Sequence, residues 1–178
     1  MQHTPHLPPL LRFENGTPIK SNDDLARRRE ELRKLVCDTF IGTRPATSPK
    51  LIESRVLSET RHQDGSRRRT VRLTFDTKHQ AAFDVQVWTP KGEGPFPVFM
   101  MVPYGGWSDT ALSRGYLVCM YPGADACDSS DILLNEYPHC TWSRLHRRAW
   151  LGSRALDYVL TLPEADKEKV CMTGHSRN

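Results

Sequence analysis

The sequence predicts an α/β fold in which helices flank a partly parallel sheet. Residues 71–75 and 83–87 alternate apolar with polar side chains, which is the pattern of half-buried strands. Residues 98–102 and 116–120 are instead uniformly apolar, as strands covered on both faces require. An earlier strand is predicted around residues 51–57. Segments with helical periodicity lie between and after the apolar runs. The alternating strands therefore predict an antiparallel hairpin, and it leads into a parallel sheet with right-handed crossovers.

The elements before the sheet are an arm and one helix. Residues 1–22 contain four prolines and little periodicity, so we expect an extended N-terminal arm. Ser21 to Asp24 offer N-cap side chains, apolar residues follow at helical spacing, and Gly42 interrupts the pattern. A helix is therefore predicted over residues 23–40, with one apolar stripe that can pack on a sheet.

The later elements follow in the order strand, helix, strand, helix, strand. A short helix over residues 108–114 should end at Gly115. A long helix is indicated by apolar residues three and four apart between positions 145 and 159, with Pro163 just beyond its end. Residues 170–173 form the last predicted strand.

The composition and charge exclude several classes of protein. The chain has 178 residues, of which 38% are hydrophobic, and a net charge of +4, which fit one globular domain. It has no run of about 18 apolar residues, so no membrane partner is expected. The start lacks the basic and apolar regions of a signal peptide, and five cysteines without metal spacing indicate reduced thiols. These features predict a cytoplasmic protein, whereas a start codon further upstream would allow a periplasmic or secreted one.

Two runs of three arginines raise the question of nucleic-acid binding. Residues 27–29 are followed directly by two glutamates, and residues 67–69 lie beside the turn signal Asp64-Gly65. A nucleic-acid site would gather such charges on one face together with aromatic or helical readers. We therefore interpret both runs as solvated surface charge and expect no nucleic-acid partner.

The residues with chemical significance come directly after the last predicted strand. The segment reads Gly174-His175-Ser176-Arg177-Asn178. A serine hydroxyl is a weak nucleophile at neutral pH, so serine hydrolases expose it on a sharp strand-to-helix turn beside an imidazole base. Gly174 leaves room for that turn, and the amide of Arg177 would face the developing oxyanion. The usual motif is Gly-x-Ser-x-Gly, and an ordinary turn serine is the alternative interpretation.

The segment resembles the nucleophile elbow of glucuronoyl-esterase-like and acetylxylan-esterase-like α/β-hydrolases, in which the motif reads Gly-(Cys or His)-Ser-Arg-Asn-Gly-Lys. Further stretches similar to this group cover most of the chain: residues 15–18, 27–32, 122–125, 148–150, 153–158 and 162–164. The resemblance implies the N-terminal portion of an α/β-hydrolase fold, truncated after the nucleophile strand. Residues 23–178 would then be an incomplete hydrolase domain.

The same resemblance assigns roles to individual residues. Ser176 would be the nucleophile, and Arg177 would stabilise the oxyanion through its amide and its guanidinium. The loop that contains Tyr104, Gly105 and Gly106 lies where such folds offer a second oxyanion donor, and a plain turn is the alternative for it. The implied activity is that of a serine carboxylic-ester hydrolase. Its substrate would be a carbohydrate ester, either a glucuronoyl methyl ester or an acetylated sugar, with an acyl-enzyme intermediate and no cofactor.

The chain departs from the group's pattern after the elbow. In these enzymes the catalytic acid and histidine follow the serine, and only two residues follow it here. His139 falls in a loop and His146 on the long helix, so neither is assigned as the base. Residues 1–178 alone are therefore expected to be inactive. The alternatives are a non-catalytic fragment or remnant of such a hydrolase, and a hydrolase of the same fold for dienelactone-like or peptide-like acyl compounds.

Three aspartates at regular spacing call for a metal test. Asp125, Asp128 and Asp131 lack the glycine and the terminal glutamate of a calcium loop. No two cysteines have the Cys-x-x-Cys spacing of a zinc site. We expect the aspartates to serve loop solubility and helix capping, with no metal bound.

Overall fold

The computed structural model describes residues 7–176 of the chain. The chain forms two compact units. These units are Met1–Thr43 and Arg44–Asn178. The arm predicted to end at residue 22, and the hydrolase part predicted from residue 23, stay predictions. Among the described residues, no helix is long and apolar enough to cross a membrane.

The first unit is built around one helix. Helix α1 (Asn22–Val36) begins after Ser21, whose Oγ accepts a hydrogen bond from the Asp24 amide at 3.1 Å, as an N-cap serine does. A π-helical turn, Cys37–Ile41, follows directly, and Gly42 ends it with a φ of +77°. The helix predicted over residues 23–40 is confirmed, with its last turn in π rather than α geometry.

The second unit contains a six-stranded mixed sheet with helices. Its elements in chain order are β1 (Leu51–Arg61), β2 (Arg67–Phe75), β3 (Ala82–Thr89), β4 (Phe96–Met101), α2 (Trp107–Ser113), β5 (Leu117–Met120), β6 (Gly123–Ala124), β7 (Cys127–Asp128), α3 (Ile132–Glu136), α4 (Arg144–Val159) and β8 (Ala165–Met172). The six strands lie in the order β1-β2-β3-β5-β4-β8, and β6 pairs with β7 separately. The first four strands of that order pair antiparallel, whereas β5, β4 and β8 run parallel. The predicted hairpin leading into a parallel sheet is confirmed.

Both faces of the central strands are buried. In β5, Leu117 and Cys119 pack in the larger core together with α4, whereas Val118 and Met120 pack in the smaller core together with α2. Successive strand residues point to opposite faces, so this uniformly apolar strand is covered on both sides. The alternating residues of β2 and β3 bury one face. The predicted α/β class, with helices on both sides of the sheet, is therefore confirmed.

The Tyr121 ring sets the distance between α4 and the segment after β5. A Cβ atom at Gly152 on α4 would lie 2.9 Å from the Cζ of Tyr121, and one at Gly123 would lie 2.9 Å from its Cε2. Real Cβ atoms essentially never come this close to a neighbour. The ring thus lies between two glycines, and an added methyl group on either side would force it to shift.

Gly152→Ala is therefore expected to destabilise the chain. Alanine normally favours a helix over glycine by about 1 kcal/mol. Here the added methyl group overpacks the Tyr121 ring, which typically costs about 1–3 kcal/mol. Urea unfolding should show a net loss of about 1 kcal/mol, whereas Ser153→Ala at the next, exposed position should change stability by less than about 0.5 kcal/mol. A stability gain in Gly152→Ala would contradict the packing described.

Strand β8 lies at an edge of the sheet. Among the described strands it pairs with β4, and six of its eight residues are exposed. It begins at Ala165 rather than at residue 170, where the sequence predicted it. The additional residues, 165–169, are mostly charged, so they carry no apolar strand pattern.

Candidate active site

The carboxyl ends of three parallel strands bring three segments to one edge of the sheet. The Tyr121 amide, after β5, donates to the carbonyl oxygen of Met101 at the end of β4 at 3.1 Å. The Thr173 amide, after β8, donates to the carbonyl oxygen of Met100 at 3.0 Å. These bonds continue the strand pairing beyond the strands. Open α/β sheets hold their ligands at this edge.

Ser176 has the backbone of a strained turn. Its φ is +57°, in the left-handed region that few non-glycine residues adopt. In the described part of the chain, Gln80 is the other non-glycine residue with a positive φ. Ser176 is exposed and follows the end of β8 by four residues. This is the local geometry expected of a nucleophile elbow, and backbone strain of this kind clusters at functional sites.

The predicted oxyanion loop lies beside the elbow. The Tyr104 ring stacks on the His175 ring, with centroids 5.0 Å apart and planes 6° apart. Gly105 has a φ of +62°, which glycine adopts without steric cost. A pocket of about 170 Å³ is lined by both rings, by Trp107 and by Gly174. The structure therefore brings the loop and the elbow together, and the oxyanion role of the loop stays a prediction.

A second, larger cleft borders Ser176 itself. Its volume is about 580 Å³, and the serine shares it with Tyr121, Arg148 and Ser153. Burial raises the pKa of the Tyr121 phenol, which is therefore neutral at physiological pH. The cleft combines a hydroxyl-bearing turn with a neutral phenol and a buried arginine.

An arginine from α4 holds the segment after β5. Arg148 is 3% exposed, and its Nη2 lies 2.6 Å from Asp125 Oδ1 and 2.8 Å from Asp128 Oδ2. Arg144 Nε contacts the same oxygen of Asp128 at 2.7 Å. Burial alone would raise the pKa of Asp128, but hydrogen bonds from Ser130 and Arg148 outweigh it and lower this pKa. The ionised cluster fixes the segment after β5 next to the cleft.

Arg148→Met is expected to cost about 3 kcal/mol of stability, because it leaves the buried carboxylate of Asp128 without its most buried partner. Arg144→Met is the matched control. Its side chain is 58% exposed, so losing this contact with Asp128 should cost at most about 1 kcal/mol. Thermal and urea unfolding of both variants measure the difference. Equal losses in the two variants would contradict the structural role given to Arg148.

The aspartates make contacts that differ from those expected. Asp131 precedes α3, but its side chain makes no cap hydrogen bond and lies 2.8 Å from Arg147 Nη2. The expected capping role is therefore wrong. The side chains of all three aspartates form ion pairs with arginines of α4 instead. These arginines stand at positions 144, 147 and 148, a spacing that places them on one helix face. Across residues 7–176, no group of three or more His, Cys, Asp or Glu side chains could hold a metal ion.

The second arginine run is engaged within the fold. Arg67 and Arg69 both contact the carboxylate of Glu164, and the Arg69 side chain is 11% exposed. The guanidinium carbon of Arg68 lies 3.8 Å from the centroid of the Trp88 ring. The interpretation of this run as solvated charge is therefore wrong, because Arg67 and Arg69 pair with Glu164 and Arg68 stacks on the Trp88 ring. That the protein has no nucleic-acid partner stays a prediction.

The remaining candidates are placed as follows. Arg177 lies outside the described residues, so its oxyanion role stays a prediction. His139 is exposed, and His146 lies on α4 with its ring 6.0 Å from that of Trp142. Neither histidine lines the pocket or the cleft at the elbow.

Three features together define the class of fold. They are the strand order, the helices on both faces of the sheet and the left-handed backbone conformation of the serine that follows a parallel strand. The fold is that of an α/β-hydrolase. Within this class, the comparisons point to glucuronoyl esterase and acetylxylan esterase-like α/β-hydrolases, as the sequence motifs predicted. No protein-family model matches the chain.

Three relatives illustrate the likeness. The chain is 27% identical over 184 residues to a 4-O-methyl-glucuronoyl methylesterase from Phanerochaete carnosa (strain HHB-10118-sp), and the match covers 97% of this chain and 43% of that protein. A glucuronoyl esterase from Solibacter usitatus superposes with a TM-score of 0.72 at 21% identity, covering 98% of this chain and 58% of that one. A carbohydrate esterase family 15 glucuronoyl esterase from Caldicellulosiruptor kristjansonii superposes with a TM-score of 0.67 at 27% identity, covering 98% of this chain and 50% of that one. The chain spans about half the length of these relatives.

Proposed function

We propose that this chain is the N-terminal part of a serine carboxylic-ester hydrolase that acts on carbohydrate esters, with Ser176 as its nucleophile. The observation that carries the proposal is the left-handed backbone of Ser176, with a φ of +57°, at the end of a parallel strand. An exposed hydroxyl on such a turn is accessible to an acyl carbon and to a neighbouring base.

The proposed reaction runs through an acyl-enzyme. The Ser176 oxygen forms a bond to the ester carbonyl carbon while its proton passes to an imidazole base. The tetrahedral oxyanion collapses, the bond to the alcohol oxygen breaks, and the alcohol leaves with that proton. Water then attacks the acyl carbon and releases the acid, which restores the serine. By resemblance, the base and its acid partner follow the elbow, so residues 1–178 alone are expected to lack turnover.

The proposed substrate is a glucuronoyl ester. Support comes from the names of the relatives, which are glucuronoyl esterases, one of them a 4-O-methyl-glucuronoyl methylesterase. Uronate esters carry the acyl carbon on the sugar itself, so the sugar would remain on Ser176 in the acyl-enzyme. In an acetylated sugar the sugar would instead be the leaving alcohol.

The test uses a full-length form, in which residues 1–178 are followed by the remaining half of a hydrolase domain with its acid and histidine. It is incubated with methyl glucuronate and, separately, with an acetylated xylo-oligosaccharide. The proposal expects methanol and free glucuronate from the first substrate at a higher kcat/KM than acetate release from the second. Failure to hydrolyse either ester would contradict the proposed function, and a preference for the acetyl ester would contradict the proposed substrate.

A further inference from the structure

Tyr104 joins the loop after β4 to the nucleophile elbow. Its ring lies parallel to the ring of His175, with a centroid separation of 5.0 Å, within the range of favourable aromatic pairs. His175 directly precedes Ser176, and Tyr104 directly precedes Gly105. This side-chain contact therefore links, beyond the paired strands, the two backbone segments that the proposed reaction uses together.

The loop itself has few other constraints. Residues 105 and 106 form a turn, and in the part of the chain that the structure describes no side-chain hydrogen bond engages Tyr104 or Gly105. The nearest backbone bond is at Gly106, whose carbonyl oxygen accepts from the Thr110 amide at 3.3 Å. Two consecutive glycines leave such a backbone wide conformational freedom.

The remaining contacts act on one side of the loop. A Cβ atom at Gly105 would lie 3.2 Å from Trp107 Cδ1, so the Trp107 ring closes that side. Tyr104 is 50% exposed and therefore adds little to the core. Its stack on His175 holds the loop at the elbow rather than contributing to overall burial.

We infer that Tyr104 is a positioning residue, which aligns the Gly105-Gly106 backbone with Ser176 through its stack on His175. This inference rests on the proposed function. An oxyanion donor acts on charge that develops in the transition state. Misplacing it should therefore lower kcat and leave KM nearly unchanged.

Kinetics of the full-length form test the role in turnover. Tyr104→Leu removes the aromatic ring, and kcat for methyl glucuronate should fall about tenfold, since small misplacements near reacting atoms have effects of this size or larger. Tyr104→Phe keeps the ring and should retain most of the kcat that leucine loses. Adding His175→Leu to Tyr104→Leu should cause no further loss, because the stack is already absent.

The matched control is Tyr116→Leu. Tyr116 precedes β5 at the end of the sheet opposite the elbow, and its ring pairs edge-to-face with that of Phe99. This variant removes the same ring from a different aromatic pair, so kcat should stay at the wild-type value.

NMR of the full-length form measures the stack independently of turnover. The imidazole protons of His175, assigned by their absence in His175→Gln, should be shifted upfield by the Tyr104 ring. The shift should persist in Tyr104→Phe and disappear in Tyr104→Leu. An unshifted His175 in the wild-type chain would overturn the inference.

The kinetic outcomes separate this inference from the proposed function. If Ser176→Ala abolishes turnover while Tyr104→Leu keeps kcat, the proposed function stands and the positioning role is overturned. If Tyr104→Phe loses as much as Tyr104→Leu, the hydroxyl acts and the stack does not, which also overturns it. If turnover survives Ser176→Ala, the proposed function fails, and the positioning role fails with it.

Discussion

Ser176→Ala is expected to abolish ester turnover in the full-length form. The hydroxyl is the group that bonds to the acyl carbon, so the variant loses the covalent route altogether. Removing the nucleophile of a serine hydrolase lowers kcat on the order of 10⁶-fold, to a residual rate that oxyanion stabilisation and binding supply. Release of nitrophenolate from nitrophenyl acetate provides a sensitive measurement, and methyl glucuronate hydrolysis provides the specific one.

The matched control for this prediction is Ser54→Ala. Ser54 is exposed on β1, at the sheet edge opposite β8, so its loss should leave both rates at wild-type values. The unfolding midpoints of the two variants should agree, which separates a chemical effect from a folding defect. Wild-type turnover in Ser176→Ala would refute the assignment of the nucleophile.

Arg177→Ala is expected to lower kcat by about 10²–10³-fold, the loss measured for a single oxyanion donor. The guanidinium would act on charge that is present mainly in the transition state, so KM should change much less than kcat. The backbone amide of residue 177 remains in the variant, and it should preserve part of the oxyanion stabilisation. Steady-state kinetics with methyl glucuronate measure both constants.

Arg177→Lys is the informative companion to this variant. Lysine keeps the positive charge but not the planar, bidentate geometry of the guanidinium. Partial recovery of kcat is expected if charge stabilises the oxyanion. A change confined to KM in both variants would instead make Arg177 a contact for the substrate carboxyl group and would contradict its oxyanion role.

Much of the fold could be predicted from periodicity. The alternation of apolar and polar residues around Val71 and Val85 predicted the hairpin, because β2 and β3 each bury one face. The uniformly apolar run in β5 predicted a strand covered on both faces, and in the structure its residues do pack in both cores. Helix α4 could be predicted from its apolar spacing and from Pro163 beyond it. The strained turn at Ser176 followed from a glycine and a serine placed directly after a strand.

Other features depend on contacts between distant segments, and no local pattern encodes them. The first half of β8 consists mostly of charged residues, so its strand character is invisible in the sequence. The stack of Tyr104 on His175 joins residues from two loops. The pairing of Arg148 with Asp125 and Asp128 requires that α4 pack beside the segment after β5. The arginine spacing on α4 indicates one charged face but not its partners.

The most direct test of the nucleophile assignment is to trap it. A phosphonate ester transfers its phosphonyl group to an activated serine: the oxygen–phosphorus bond forms and the leaving group departs with the serine's proton. After treatment of the full-length form, trypsin cleaves behind Lys169 and Arg177 and releases residues 170–177 as one peptide. Mass spectrometry should find the phosphonyl adduct on Ser176 in this peptide, with loss of ester hydrolysis in proportion to labelling. Complete inhibition with the adduct on another residue, and residues 170–177 unmodified, would contradict the assignment of Ser176 as the nucleophile.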